Sequence, residues 1–330
     1  MKTTNRLFVT LITLLGVLSL QGQNPNEPWP PNEPMQGWGF TPASIVDGNG
    51  ASTTNMLVKQ SVVDNILPDP NETAADFAPE AGAPAGGQPQ VEINVGAGWF
   101  TVFGYDGNTS TIGIPAKYKC NNRWTLKADI PLNYTKVKNV VIWKTDPLTG
   151  FPVFTQSDVD IWGAGLVFSG AYGIFVKEDN VPYRWQLTPS LGLNVREADT
   201  LDAGSWMYSG GISSSYNYKL TDWLIVNLGN SFTATWNRRL SADYAPIAHP
   251  LQHVTVNGLQ LIFPVNRFVF NAFVMDTRFL RRTALDNYQT YGVGGGYQIS
   301  KNISLRLYFF TDQGTDYEAY SVTFGSAFKF

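Results

Sequence analysis

The chain has 330 residues, enough for one large domain or two ordinary ones. Charged residues make up 15% and aromatics 14%, whereas soluble domains average about 25% charged. The net charge of −3 argues against a nucleic-acid partner held by phosphate contacts, and the single cysteine, Cys120, excludes an intramolecular disulfide framework or a cysteine-based zinc cluster. Mean hydropathy is −0.12. Past the first two dozen residues no run of about 18 apolar residues occurs, which excludes helical membrane spans. A weakly charged, ring-rich, amphipathic chain remains, and a transmembrane β-barrel has that composition.

Lys2 and Arg6 precede an apolar stretch, Leu7 to Leu20, that is too short to span a membrane. Residues 1–22 therefore read as a secretory signal, with Gly22 at the cleavage point. Residues 23–89 read as a Pro/Gly-rich periplasmic extension, which buries too little apolar surface to offset its ordering entropy. Within it, Met56, Val63 and Leu67 share a helical face, and the spacing predicts a short helix over 53–67. That helix could sit inside or beneath a barrel, or belong to a flexible tail.

From residue 90 onward the sequence alternates with period two. Trp124, Leu126, Ala128, Ile130, Leu132 and Tyr134 share one face, and Thr125, Lys127, Asp129, Pro131 and Asn133 share the other. Trp185 to Val195 repeats the pattern. Trp124 and Tyr134 lie ten residues apart on one face, as do Trp206 and Tyr216. Ten steps of about 3.3 Å, tilted by about 40°, climb roughly 25 Å, the height of the apolar band of an outer-membrane barrel. Rings at both ends of such a face sit at the two headgroup levels.

Twelve strands are predicted, near 90–103, 110–120, 124–135, 158–172, 183–196, 205–218, 223–236, 253–263, 267–277, 287–299, 303–312 and 317–330. The even-numbered connections are short. The others are on the whole longer, above all Lys136–Ser157 and Asn237–Gln252, although Val140-Val141-Ile142-Trp143 could hide a strand pair in the former. Short turns alternating with longer outer loops suit an up-and-down barrel with both ends periplasmic. The fold class is therefore all-β, a transmembrane antiparallel barrel over 90–330 in the bacterial outer membrane.

The last strand places Tyr320, Val322, Phe324, Ser326, Phe328 and the terminal Phe330 on one face. Here the chain resembles the bacterial outer-membrane protein family at large. The resemblance implies outer-membrane lipid as solvent, and it implies Phe324, Phe328 and Phe330 as a signal for the barrel-assembly machinery. Ser326 departs from the apolar alternation. The units Tyr118 to Leu132 and Tyr218 to Leu224 resemble those of transporter-like outer-membrane barrels, a group that includes the MetA-pathway phenol-degradation family. That likeness carries no substrate.

Polar faces turned inward would line a lumen with Glu92, Lys117, Lys119, Lys127, Asp129, Arg184, Arg196 and Arg306. Six bases against two acids in a confined passage raise the local concentration of anions. The reading is passive, selective passage of a small polar or anionic solute. The alternative is a sealed barrel whose outer loops bind a partner or surface ligand. An autotransporter-like translocator is a further rival, weakened by an extension too short for an ordinary passenger.

No catalytic set, cofactor or metal site is expected. His249 and His253 are the only histidines, and Pro250 between them argues for a surface loop. Ser241 and Asp243 belong to no motif around them. Gly292-Val293-Gly294-Gly295-Gly296 lacks the βαβ context of a phosphate loop, so these glycines point to close approach of groups over the strand.

Overall fold

The computed structural model describes residues 65–77, 87, 89–102, 104–145, 148–149, 151–179, 181–198, 203–240, 251–280, 287–315 and 317–330. The leader expected over 1–22, most of the extension, residues 53–64 of the expected helix, Ser241, Asp243 and His249 lie outside them.

Twelve antiparallel strands form one closed sheet. They are β1 (Pro89–Val102), β2 (Tyr105–Gly113 and Ala116–Lys119), β3 (Trp124–Asp129 and Pro131–Thr145), β4 (Pro152–Phe175), β5 (Tyr183–Ala198) and β6 (Ala203–Thr221). The sheet continues with β7 (Leu224–Arg239), β8 (Leu251–Val265), β9 (Phe268–Phe279), β10 (Tyr288–Ser300), β11 (Ile303–Gly314) and β12 (Tyr317–Lys329). Each strand pairs with its sequence neighbours. β12 returns to β1 over a register that runs from Gln90↔Lys329 to Val102↔Tyr317. Closure leaves no sheet edge, the condition for a sheet to cross lipid.

The faces divide as the period-two pattern requires. On β12, Tyr320 and Phe324 are exposed outward while Ala319, Ser321 and Ala327 are buried inward. Trp99 with Tyr320, Tyr134 with Trp162, and Tyr208 with Trp236 are cross-strand neighbours on the outer face toward one end. Trp124 with Tyr172 and Phe268 with Tyr297 do the same toward the other end. These are two aromatic girdles. The apolar side chains between them, such as Val95, Leu126, Leu191, Ile212 and Phe324, face outward. Two outward asparagines inside the band, Asn230 and Asn257, are joined by a hydrogen bond from the Asn230 amide N–H to the Asn257 side-chain oxygen, which pairs those two groups on the lipid face.

Both sheet termini lie at one end, called proximal. All proximal turns are short, and two-residue turns at Asp222-Trp223, Asn266-Arg267 and Lys301-Asn302 join three of the pairs. Arg123 reaches from the β2–β3 turn to Asp179 in the β4–β5 turn at 2.8 Å. The Val176 N–H bonded to Asp179 holds that carboxyl below its ordinary range, and Arg123 adds to the effect.

The expected long loop Lys136–Ser157 is corrected. β3 and β4 continue as a paired ribbon from Val140↔Ser157 to Thr145↔Pro152, the pair hidden in Val140-Val141-Ile142-Trp143. Asn139, at a positive φ of 56°, makes a bulge between Val137 and Val140 that lets the pairing continue past the band. The loop expected over Asn237–Gln252 is likewise shorter, because β7 runs to Arg239 and β8 starts at Leu251. His253 is on β8, with its ring stacked 5.9 Å from Phe232.

Candidate functional site

The site is the barrel interior. The helix α1 (Pro70–Phe77) and residues 65–69 before it, of which Asn65 and Ile66 are helical, touch strands from all round the wall, which places residues 65–77 inside the barrel. Ile66 and Leu67 lie against β7 and β8, Asn71 against β10, Asp69 against β11, Glu72 against β2, Asn65 against β3 and Phe77 against β5.

Local sequence explains why this stretch is helical. Asp69 is the N-cap: its Oδ1 accepts the Asn71 N–H at 2.8 Å. Pro70 follows at the first helical position, where its missing N–H costs nothing, and Glu72 adds an acid to the first turn. Of the helix expected over 53–67 only residues 65–67 are described, with Asn65 and Ile66 helical, and the helix at Pro70–Phe77 was not expected. Asp69-Pro70-Asn71-Glu72 was the available signal.

The wall makes room for the segment with glycine. A Cβ on Gly229 would stand 2.3 Å from the Ile66 carbonyl oxygen, and one on Gly296 would stand 2.2 Å from Asn71 Nδ2. Gly292 and Gly294 open space in the same way for the rings of Phe273 and Tyr308. The glycine run on β10 is therefore an inner surface shaped for neighbours, as its alternation suggested.

Charges fix the segment on the proximal side. Lys117 Nζ lies 2.6 Å from Glu92 Oε1 and 3.3 Å from Glu72 Oε2. Arg306 donates through Nη2 to Glu92 at 2.7 Å and to Asn94 at 2.9 Å, and through Nη1 to Asp69 at 3.2 Å. Gln90 Nε2 donates to Glu72 at 2.6 Å and to Glu92 at 2.8 Å. Glu92, Asp69 and Arg306 are almost wholly withdrawn from solvent. Lys127 donates to Asn65 at 2.9 Å. Beside it, Asn65, Lys117, Lys127, Asp129 and Ser169 line a cavity of ≈ 20 Å³, room for about one water.

The other expected lining residues are dispersed. Arg184 stacks its guanidinium 4.7 Å from the Phe77 ring centre and donates to the Val181 and Asp76 carbonyls. Lys119 stands at the proximal rim, its carbonyl accepting the Gly87 N–H at 2.8 Å. Arg196 belongs to the distal half, where it donates to Asn237 at 3.3 Å. Sequence reasoning missed Asp69, Glu72 and Gln90 as members of the constellation. The distal half of the interior also holds an apolar cluster including Phe100, Val102, Val137, Val159, Ile161, Val254, Phe279, Tyr288 and Tyr317, which Ile66 and Leu67 join.

Closure, outward apolar band, two girdles and short turns at one end define a bacterial outer-membrane β-barrel. Solved structures agree. The translocator domain of the autotransporter NalP from Neisseria meningitidis is similar at a TM-score of 0.53, with 12% identity over 87% of this chain and 100% of that one. The β domain of the Bordetella autotransporter BrkA gives a TM-score of 0.50, with 13% identity over 74% of this chain and 99% of that one. The toluene transporter TodX of Pseudomonas putida is similar more loosely, at 0.43, with 10% identity over 81% and 93% of the two chains. At these identities the likeness shows the fold alone. No protein-family model matches the chain, and no curated protein matches it in sequence.

Proposed function

We propose that the protein is an outer-membrane passage for small polar or anionic solutes, with the proximal end periplasmic and residues 65–77 as a plug. The observation that carries this reading is the way the segment is held. A permanent seal is cheapest as apolar packing, since replacing a buried ion pair by apolar groups is often neutral or stabilising. Here Lys117 and Arg306 hold carboxylates of a segment that, among the described residues, shares no backbone–backbone hydrogen bond with the wall. Groups of that kind exchange one set of charged partners for another.

The test is planar-bilayer conductance of the refolded chain from Gln23 beside a version lacking Asn24 to Gln88. The full chain is expected to open rarely and the shortened one to conduct freely. If both are folded and silent, the passage reading fails. The second reading then takes its place, a sealed barrel that binds a partner through the distal β3–β4 ribbon. Its motivation is the exposure of Leu148 (94%) and Phe151 (73%) in that hairpin.

The aromatic chain end fits the assembly machinery as a partner. The Phe330 side chain is exposed, and its residue joins the β12–β1 seam through its backbone N–H, bonded to the Pro89 carbonyl at 3.0 Å. Phe330→Ala should therefore lower the amount of barrel inserted in cells several-fold, while the refolded variant unfolds at the wild-type denaturant concentration. Unchanged insertion would remove the signal from the account.

A further inference from the structure

We infer that Asp69 and Glu72 stand in for a solute bearing two carboxylates, and that Lys117 and Arg306, with Gln90 and Asn94, are the binding site such a solute shares with the plug. This rests on the passage reading and names the solute class for the same site.

The distances rank the partners. Glu92, on the wall, holds the two closest ionic contacts, at 2.6 Å to Lys117 and 2.7 Å to Arg306. The plug carboxylates hold the longer ones, 3.3 Å for Glu72 and 3.2 Å for Asp69. One wall carboxylate between two wall cations leaves a net positive charge of one. The plug supplies two carboxylates to that charge, from the N-cap Asp69 and from Glu72 in the first turn. Their partners Lys117 and Arg306 grip one and the same Glu92 carboxylate, at 2.6 and 2.7 Å, so the two acids converge on a site small enough for a short dicarboxylate.

The wall also offers polar groups that recognise carboxylate oxygens: Gln90 Nε2 donates to Glu72 at 2.6 Å. The cavity beside Lys117, lined also by Lys127, Asp129 and Ser169, has room for about one water, which can hydrate Lys117 as Glu72 leaves. Arriving solute would then replace the plug acids one at a time, so that neither wall cation is left buried and uncompensated.

The probe is succinate, with acetate and chloride as controls at constant ionic strength. Titration calorimetry of the full chain is run on wild type, on Asp69→Asn with Glu72→Gln, on Glu72→Gln alone, and on Lys117→Met with Arg306→Met. The plug variants should bind succinate at least tenfold tighter than wild type, the single less so than the double, because the internal competitor is gone. Acetate should bind weakly to all, and the wall variant should bind neither. In bilayers succinate should raise the open fraction of wild type, and acetate should not. Equal succinate affinity in wild type and plug variants overturns the inference, as does absence of binding in both. Binding without any conductance would leave this site standing and sink the passage reading. Conductance without succinate binding would do the reverse.

Discussion

Replacing Arg306 by Met should open the barrel while its wall stays folded. The guanidinium is buried and serves Asp69 on the plug and Glu92 and Asn94 on the wall. Without it Glu92 keeps Lys117 at 2.6 Å, but Asp69 becomes a buried carboxylate facing no cation at bonding distance from its Oδ2. Removing one partner of a buried pair costs about 3–5 kcal/mol. The least costly relief is for the plug to leave and carry Asp69 to water, since strand pairing does not use these side chains. At about 1.4 kcal/mol per tenfold, the docked-to-released ratio should fall by roughly 10² to 4 × 10³. Conductance should rise toward that of the shortened chain, and 65–77 should become open to protease. Asp69→Asn added to Arg306→Met should restore much of the closure, because removing both partners leaves no stranded charge. If Arg306→Met stays shut and merely unfolds at lower denaturant, the pair serves wall stability and not docking.

The wall was legible because period two is a strong signal over long strands with one lipid face. Trp124 to Tyr134 reads outward and inward without ambiguity, and β12 does the same to its last residue. The β3–β4 ribbon was partly hidden because its pairing continues past the membrane through a bulge at Asn139, and composition changes where lipid ends. The plug was less legible for a different reason. Its acids and the wall's bases come from opposite ends of the chain, Asp69 and Arg306, so no local pattern couples them. Read from the wall alone, Lys117 and Arg306 share the single carboxylate of Glu92 and leave one surplus positive charge. Read with 65–77 in place, Asp69 and Glu72 join it. Asp69-Pro70 marked a helix start, and the glycines at 229, 258 and 296 marked close approach, but neither signal said what approached.

The central claim is that residues 65–77 close the lumen by docking and open it by leaving. A reversible tether tests it most directly. The Asn71 Cγ lies 2.6 Å from the place a Cβ on Gly296 would take, so the two Cβ atoms are about 4 Å apart, near the mean of about 3.8 Å for disulfides. Asn71→Cys with Gly296→Cys, in a Cys120→Ala background, should oxidise to a single cross-link. Single-channel conductance is then recorded before and after reduction in the same bilayer. Silence is expected while the cross-link is intact, and openings on reduction. Equal conductance in both states would show that solutes pass a docked segment, and the plug would have to be given up.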